Sequence, residues 1–168
     1  MCARTPRAGG PNAWVEPLSP IGGPGRFAAG AFDHLGSAPM IEVPIHIRWR
    51  DVDSYGHVNN AVYLTYLEEA RDRWVEATLP GTNFVIVRIA IDYRRELSLE
   101  DEDVVVTCRG LAYGSSSIRT AEQVLAKAGW VAAEAESVIV AHDEAARRAR
   151  PLTGDERERL DRAIAAST

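Results

Sequence analysis

One helical stretch followed by four strand-like stretches on short turns limits this chain to a narrow set of folds. From Ala61 to about Ala77, Tyr63, Leu67, Ala70 and Trp74 recur at helical spacing, with Leu64 and Val75 beside them. Asn59 or Asn60 is a natural N-cap for this helix, and Pro80-Gly81 ends it. Four runs then read as strands, at about 83–95, 103–112, 116–126 and 130–142. In the third, Ile118, Thr120, Glu122 and Val124 begin an alternating pattern. Gly114-Ser115 and Lys127-Ala128-Gly129 are hairpin turns, so neighbouring runs pair antiparallel. Ahead of the helix, residues 41–50 alternate as a half-buried strand does, with Pro44 suited to an edge. Thr153 with Glu156 predicts a capping box that opens a short final helix to about Ala165. A helix with an apolar stripe needs a surface to bury it, and the sheet offers one. The expected fold is α+β: a long helix wrapped by a curved antiparallel sheet of about five strands, plus a short C-terminal helix.

Residues 1–39 differ from the rest. Thirteen of these 39 positions are Gly or Pro, against six Gly and three Pro in the other 129. Such a segment buries too little apolar surface to offset its ordering entropy, so a disordered tail is expected. One domain is expected over 40–168, without internal repeats. Met40 stands where the organised sequence begins and is an alternative translation start.

The formal net charge is −5 and no long basic run occurs, which argues against a nucleic-acid partner. No apolar run approaches the roughly 20 residues of a membrane helix, and the first residues lack the apolar core of a secretory signal. The two cysteines, Cys2 and Cys108, fall in the tail and in a strand, so a disulfide is poorly motivated. The expected location is the cytoplasm. No cluster of His, Cys and acids has metal-ligand spacing, and no cofactor is expected.

Chemistry concentrates in residues 48–74, where a strand runs into a loop with two carboxylates and then into a capped helix. A helix start offers free N–H groups and partial positive charge, a site for a carbonyl oxygen that is gaining charge. A carboxylate in the loop can attack that carbonyl or activate water. Thioester hydrolysis needs both parts and little more, because thiolate is a good leaving group.

The run Asp51-Val-Asp53-x-x-Gly56-His57-Val-Asn59-Asn60-x-x-Tyr63-Leu-x-Tyr66-Leu-Glu68-Glu-Ala-Arg71 strongly resembles the 4-hydroxybenzoyl-CoA thioesterase-like family. It looks closest to the bacterial acyl-CoA thioesterases with Gly-His-Val-Asn-Asn. The resemblance covers about 41–152, including Asp92-Tyr93 and Arg150-Pro151-Leu152. It implies a hot-dog fold, a homodimer joined sheet edge to sheet edge, often a tetramer, and active sites between subunits. The implied substrate is an acyl-CoA or acyl-carrier thioester.

The resemblance makes Asp53 the catalytic carboxylate and puts the carbonyl-polarising amide at or near Asn60, with Gly56 letting the loop fold closely. Asp51 reads as structural, with a minor part in the chemistry as the alternative, since two nearby carboxylates raise the pKa of one of the pair. His57 is either a general base or a ring that shapes the loop through a backbone hydrogen bond. Asn59 and Asn60 are caps or substrate contacts, and Tyr63 is core or a substrate contact. Glu68 stands where some hot-dog thioesterases place their carboxylate; otherwise it forms a solvated pair with Arg71 or Arg73. Arg94, Arg95, Arg147, Arg148 and Arg150 are surface charges from which one or two meet CoA phosphates. A non-enzymatic acyl-CoA-binding or assembly module is the alternative. An enoyl-thioester hydratase is a weaker one, because the Asp53–His57 spacing is one residue shorter than the Asp–His pair of hot-dog hydratases.

Overall fold

The computed structural model describes residues 40–166. The expected tail over 1–39, with Cys2, lies outside the described residues. Strand β1 (Ile41–His46) leads through a 3-10 turn (Trp49–Asp51) to the long helix α1 (Asn60–Thr78). Strands β2 (Phe84–Tyr93), β3 (Asp103–Tyr113), β4 (Ser117–Ala126) and β5 (Val131–Asp143) follow. A two-residue strand β6 (Arg148–Ala149) pairs with the end of β5, and α2 (Gly154–Ala165) closes the described chain.

The main sheet is antiparallel with the order β1-β3-β4-β5-β2. Bulges interrupt the register within β2, β3 and β5, and each adds local bend and twist to a sheet that must curl around a helix. Pro44 sits on β1, an edge strand, where a missing N–H costs least. The expected first strand was too long. It stops at His46, because Ile47 N–H turns to the Glu102 carbonyl and the chain then coils into the 3-10 turn that buries Asp51.

α1 lies over β3, β4 and β1. Tyr63, Leu67, Ala70 and Trp74 are all buried, as their spacing predicts, and Tyr66 joins them. Leu64 is instead 39% exposed. Gly110 on β3 is what admits Trp74: a Cβ there would stand 2.7 Å from the indole. α2 starts with the expected capping box, in which the Thr153 hydroxyl accepts from Glu156 N–H and the Glu156 carboxylate accepts from Thr153 N–H. Arg150 holds the same carboxylate with two N–H groups.

Because α1 sits toward β1, β3 and β4, the inner face near β2 is less covered. A cleft of about 300 Å³ opens there between Glu68, Asp72 and Val75 of α1 and Phe84 and Ile86 of β2. Among the described residues β2 is an edge strand without a neighbour on its outer side; its sequence is largely apolar and Ile86 is 45% exposed.

One buried polar cluster ties α1 to the sheet. Arg71 Nη1 donates to both Glu122 carboxylate oxygens at 3.1 and 3.2 Å and to Ser137 Oγ at 3.2 Å. Thr120 and Ser137 hydroxyls donate to Glu122 at 2.7 and 2.8 Å. Glu122 is fully buried and Arg71 is 6% exposed. The solvated Glu68–Arg71 pair considered from sequence therefore does not form, since Arg71 is turned inward to a carboxylate on β4.

Candidate active site

The loop between β1 and α1 is a small hairpin with a rigid root. Asp51 is buried and accepts from Arg48 N–H at 2.9 Å, from Arg48 Nε and from the Tyr66 hydroxyl at 2.8 Å. Burial alone would raise this carboxyl, but the bonds from Arg48 and Tyr66 outweigh it and hold it below the usual range. Every near contact of Asp51 serves the fold. Its carbonyl also accepts from Asn59 N–H at 2.8 Å, and Val52 bridges Val58, so the two arms of the hairpin are closed at the base of α1.

Asp53 stands just above that bridge. Its N–H donates to the His57 carbonyl and its own carbonyl accepts from Gly56 N–H, which makes a tight turn. Gly56 takes φ +85°, a conformation that L side chains rarely adopt, so glycine is required there. One carboxylate oxygen of Asp53, Oδ1, accepts from Tyr55 N–H at 2.8 Å. The other, Oδ2, has no hydrogen-bond partner among the described residues. Asp53 is half-buried while Tyr55, Gly56 and His57 are exposed. The His57 ring makes no hydrogen bond among the described residues; contrary to the structural role considered for it, the loop is shaped by its backbone carbonyl.

The helix start is held from several sides. Asn59, rather than Asn60, is the N-cap, and its side chain accepts from Ala61 N–H at 2.9 Å. The Asn59 carbonyl accepts from Val62 N–H at 2.9 Å. Among the described residues, the Asn60 N–H has no acceptor. That leaves one donor at the positive end of a nineteen-residue helix.

Asn60 borders a cavity of about 320 Å³ together with Val58, Tyr63, Tyr93, Arg94 and Arg95. Tyr63 is 3% exposed, in the core, and it also borders this cavity. Burial pushes its phenol up to about 12. Arg94 is neutralised by Asp92 at 3.1 Å and Glu134 at 3.0 Å. Arg95 instead lies over the Trp130 ring at 4.2 Å, a cation–π contact that leaves guanidinium edges for an anion.

Asn60 and Tyr63 share this cavity and Asn59 caps the helix beside them, whereas Asp53, Gly56 and His57 are on the adjoining hairpin and do not line it. Glu68 is not with them. It is exposed on the 300 Å³ cleft, and eight helical residues put it about 12 Å along the axis from Asn60. Within one protomer it cannot share a carbonyl carbon with the Asn60 amide. Tyr93 and Trp130 are the site residues that sequence reasoning left without a role; Asp92-Tyr93 lay within the resemblance, but nothing local joins either residue to the helix start. Among the described residues, no group of three or more His, Cys, Asp and Glu could hold a metal ion, and no helix is long and apolar enough to cross a membrane.

Residues 47–160 match the family described as the thioesterase-like superfamily. The long-chain acyl-CoA thioesterase FadM of Escherichia coli (strain K12) is 34% identical over 131 residues, covering 74% of this chain and 99% of that protein. A thioesterase from Thermus thermophilus, solved with coenzyme A and Zn, superposes with a TM-score of 0.67 at 38% identity, covering 73% of this chain and 98% of that one. The probable thioesterase YbaW from Escherichia coli superposes with a TM-score of 0.62 at 32% identity, covering 74% and 98%.

Proposed function

This chain belongs to the thioesterase-like superfamily, and from that premise we propose that it hydrolyses acyl-CoA to a carboxylic acid and free CoA, with Asp53 and the Asn60 amide as its catalytic groups. The observation that carries the reading is the Asn60 N–H at the head of α1, which has no acceptor among the described residues and borders a cavity beside a hairpin whose Asp53 has one carboxylate oxygen without a partner among them.

The thioester carbonyl accepts a hydrogen bond from Asn60 N–H. As the carbon becomes tetrahedral, the oxygen gains charge at the positive end of the helix, and a fixed donor of this kind contributes roughly 10²–10³-fold in rate. Asp53 Oδ2 either attacks the carbonyl carbon, giving a mixed anhydride that water then opens, or removes a proton from the attacking water. In both routes the C–S bond breaks, and the thiolate leaves and takes up a proton. Arg95 on Trp130 is the arginine best prepared for a CoA phosphate. The experiment is release of free thiol from a panel of acyl-CoA esters by the purified chain. Binding of acyl-CoA without thiol release would refute hydrolysis and favour an acyl-binding module.

The cavity at Asn60 is open, and β2, whose last residue Tyr93 borders it, is an apolar edge left unpaired among the described residues. Long apolar edges pair with other strands unless protected. A second copy joined along β2 covers the edge and brings the partner's surface to the cavity, and the active assembly is a homodimer or a tetramer built from it. Light scattering should find a dimer or larger species in the wild type. Ile86→Lys should shift it toward monomer and lower thiol release together. A wild type that is monomeric and fully active at micromolar concentration would sink this assembly.

A further inference from the structure

We propose that Tyr93 is a positioning residue for catalysis, clamping the first peptide of α1 so that the Asn60 N–H is held at one fixed angle. The inference rests on the reading of that N–H as the donor to the thioester.

The Tyr93 hydroxyl donates to the Asn60 carbonyl at 2.9 Å across 33 residues of sequence. That carbonyl belongs to the peptide joining Asn60 to Ala61, and the N–H of the same peptide donates to Asn59 Oδ1 at 2.9 Å. The peptide is therefore held at both ends, its carbonyl by the strand in addition to the first helical turn and its N–H by the cap. The preceding peptide, which carries the Asn60 N–H, has its own carbonyl occupied by Val62 N–H. With both planes fixed, the remaining dihedral freedom about Asn60 is small. A preorganised donor acts without the cost of turning toward the oxyanion during reaction, which is what gives such donors their effect.

The ring of Tyr93 is itself held. It stands edge-on to Tyr63 with centroids 5.2 Å apart and planes at 89°, and Tyr63 is locked into the core. A phenol is protonated at neutral pH, so the Tyr93 O–H is a donor there. Tyr93 is also the last residue of edge strand β2. The clamp therefore links the head of the helix to the strand proposed above to meet a second copy.

Tyr93→Phe keeps the ring and removes the O–H. In the thiol-release assay kcat should fall about tenfold, corresponding to loss of one hydrogen bond felt in the transition state. KM should change by less than about twofold, and amide hydrogen exchange at Ala61 should quicken. Unchanged kcat overturns the proposal, and so does a raised KM with unchanged kcat, which would make Tyr93 a substrate contact. Should the variant not fold, Asn59→Ala frees the other end of the same peptide and must show the same fall in kcat, unchanged turnover again overturning the proposal. Full activity of Asp53→Asn beside a slow Tyr93→Phe would instead overturn the role of Asp53 and leave the clamp standing.

Discussion

Asp53→Asn is expected to lower kcat for thioester hydrolysis by at least about 10²-fold, the low end for loss of a positioned acid–base group, with the fold intact. The substitution is well matched to the site. Asn keeps an oxygen for the Tyr55 N–H, so the turn that shapes the hairpin survives. It removes the charge and the basicity of the other oxygen, which makes no structural hydrogen bond among the described residues. A loss of activity would therefore report chemistry rather than misfolding, and circular dichroism should be that of the wild type. Wild-type turnover in this variant would refute the assignment. Retained turnover in Asp53→Ala with loss in Glu68→Ala would move the chemistry to the helix carboxylate, reached across a dimer rather than within one protomer. One turnover in ¹⁸O-water tests the nucleophilic route: label in the Asp53 carboxylate requires a mixed anhydride opened at the aspartyl carbon, because a general base exchanges no oxygen with water.

The second large effect is on stability. Glu122→Ala should destabilise the protein by about 3–5 kcal/mol, the range for leaving one member of a buried ion pair without its partner. The number follows from the surroundings. Glu122 is wholly buried and accepts from Arg71, Thr120 and Ser137, so its removal strands a guanidinium and two hydroxyls away from water. Arg71→Met should cost a similar amount for the reverse reason. The double variant Arg71→Met/Glu122→Leu should lose much less than the sum, because the charges leave together and apolar groups fill part of the space. Urea unfolding followed by circular dichroism, at one fixed protein concentration, measures all three. Additive losses, or a Glu122→Ala penalty under about 1 kcal/mol, would mean that the pair does not pin α1 to the sheet.

Much of the fold was legible because it is written in local signals. The 4-3-4 spacing from Tyr63 to Trp74 marks one face of a helix whatever the helix packs on, and all four residues are buried. The Thr153–Glu156 box is complete within four residues, so α2 needs no distant partner to be recognised. The two hairpin turns followed from the breaks at Gly114 and Gly129, and the break between β2 and β3, which has no glycine, from its run of charged residues. The first strand was overextended because an alternating pattern continues to Arg50, whereas the chain bends once Arg48 can wrap Asp51.

The site was legible only in part. Asp53, Gly56 and the Asn59 cap belong to one continuous motif, and their mutual geometry is set by a turn and a helix start. Tyr93, Arg95 over Trp130 and the Arg71–Glu122 pair join residues far apart in the chain. Glu122 on an alternating strand reads as an outward-facing acid until the sheet curls and a helix brings Arg71 down onto it.

The elements, their caps and a loop with two carboxylates ahead of a capped helix are readable along the chain, because hydrogen bonds within a few residues and the period of apolar side chains decide those things. Folding in three dimensions settles which strand is the edge among the described residues, which charges are buried, and which tyrosine reaches back to the Asn60 carbonyl. Those depend on strand order and on where the helix crosses the sheet. The close packing of the whole core sets both, and no short stretch of chain contains the answer.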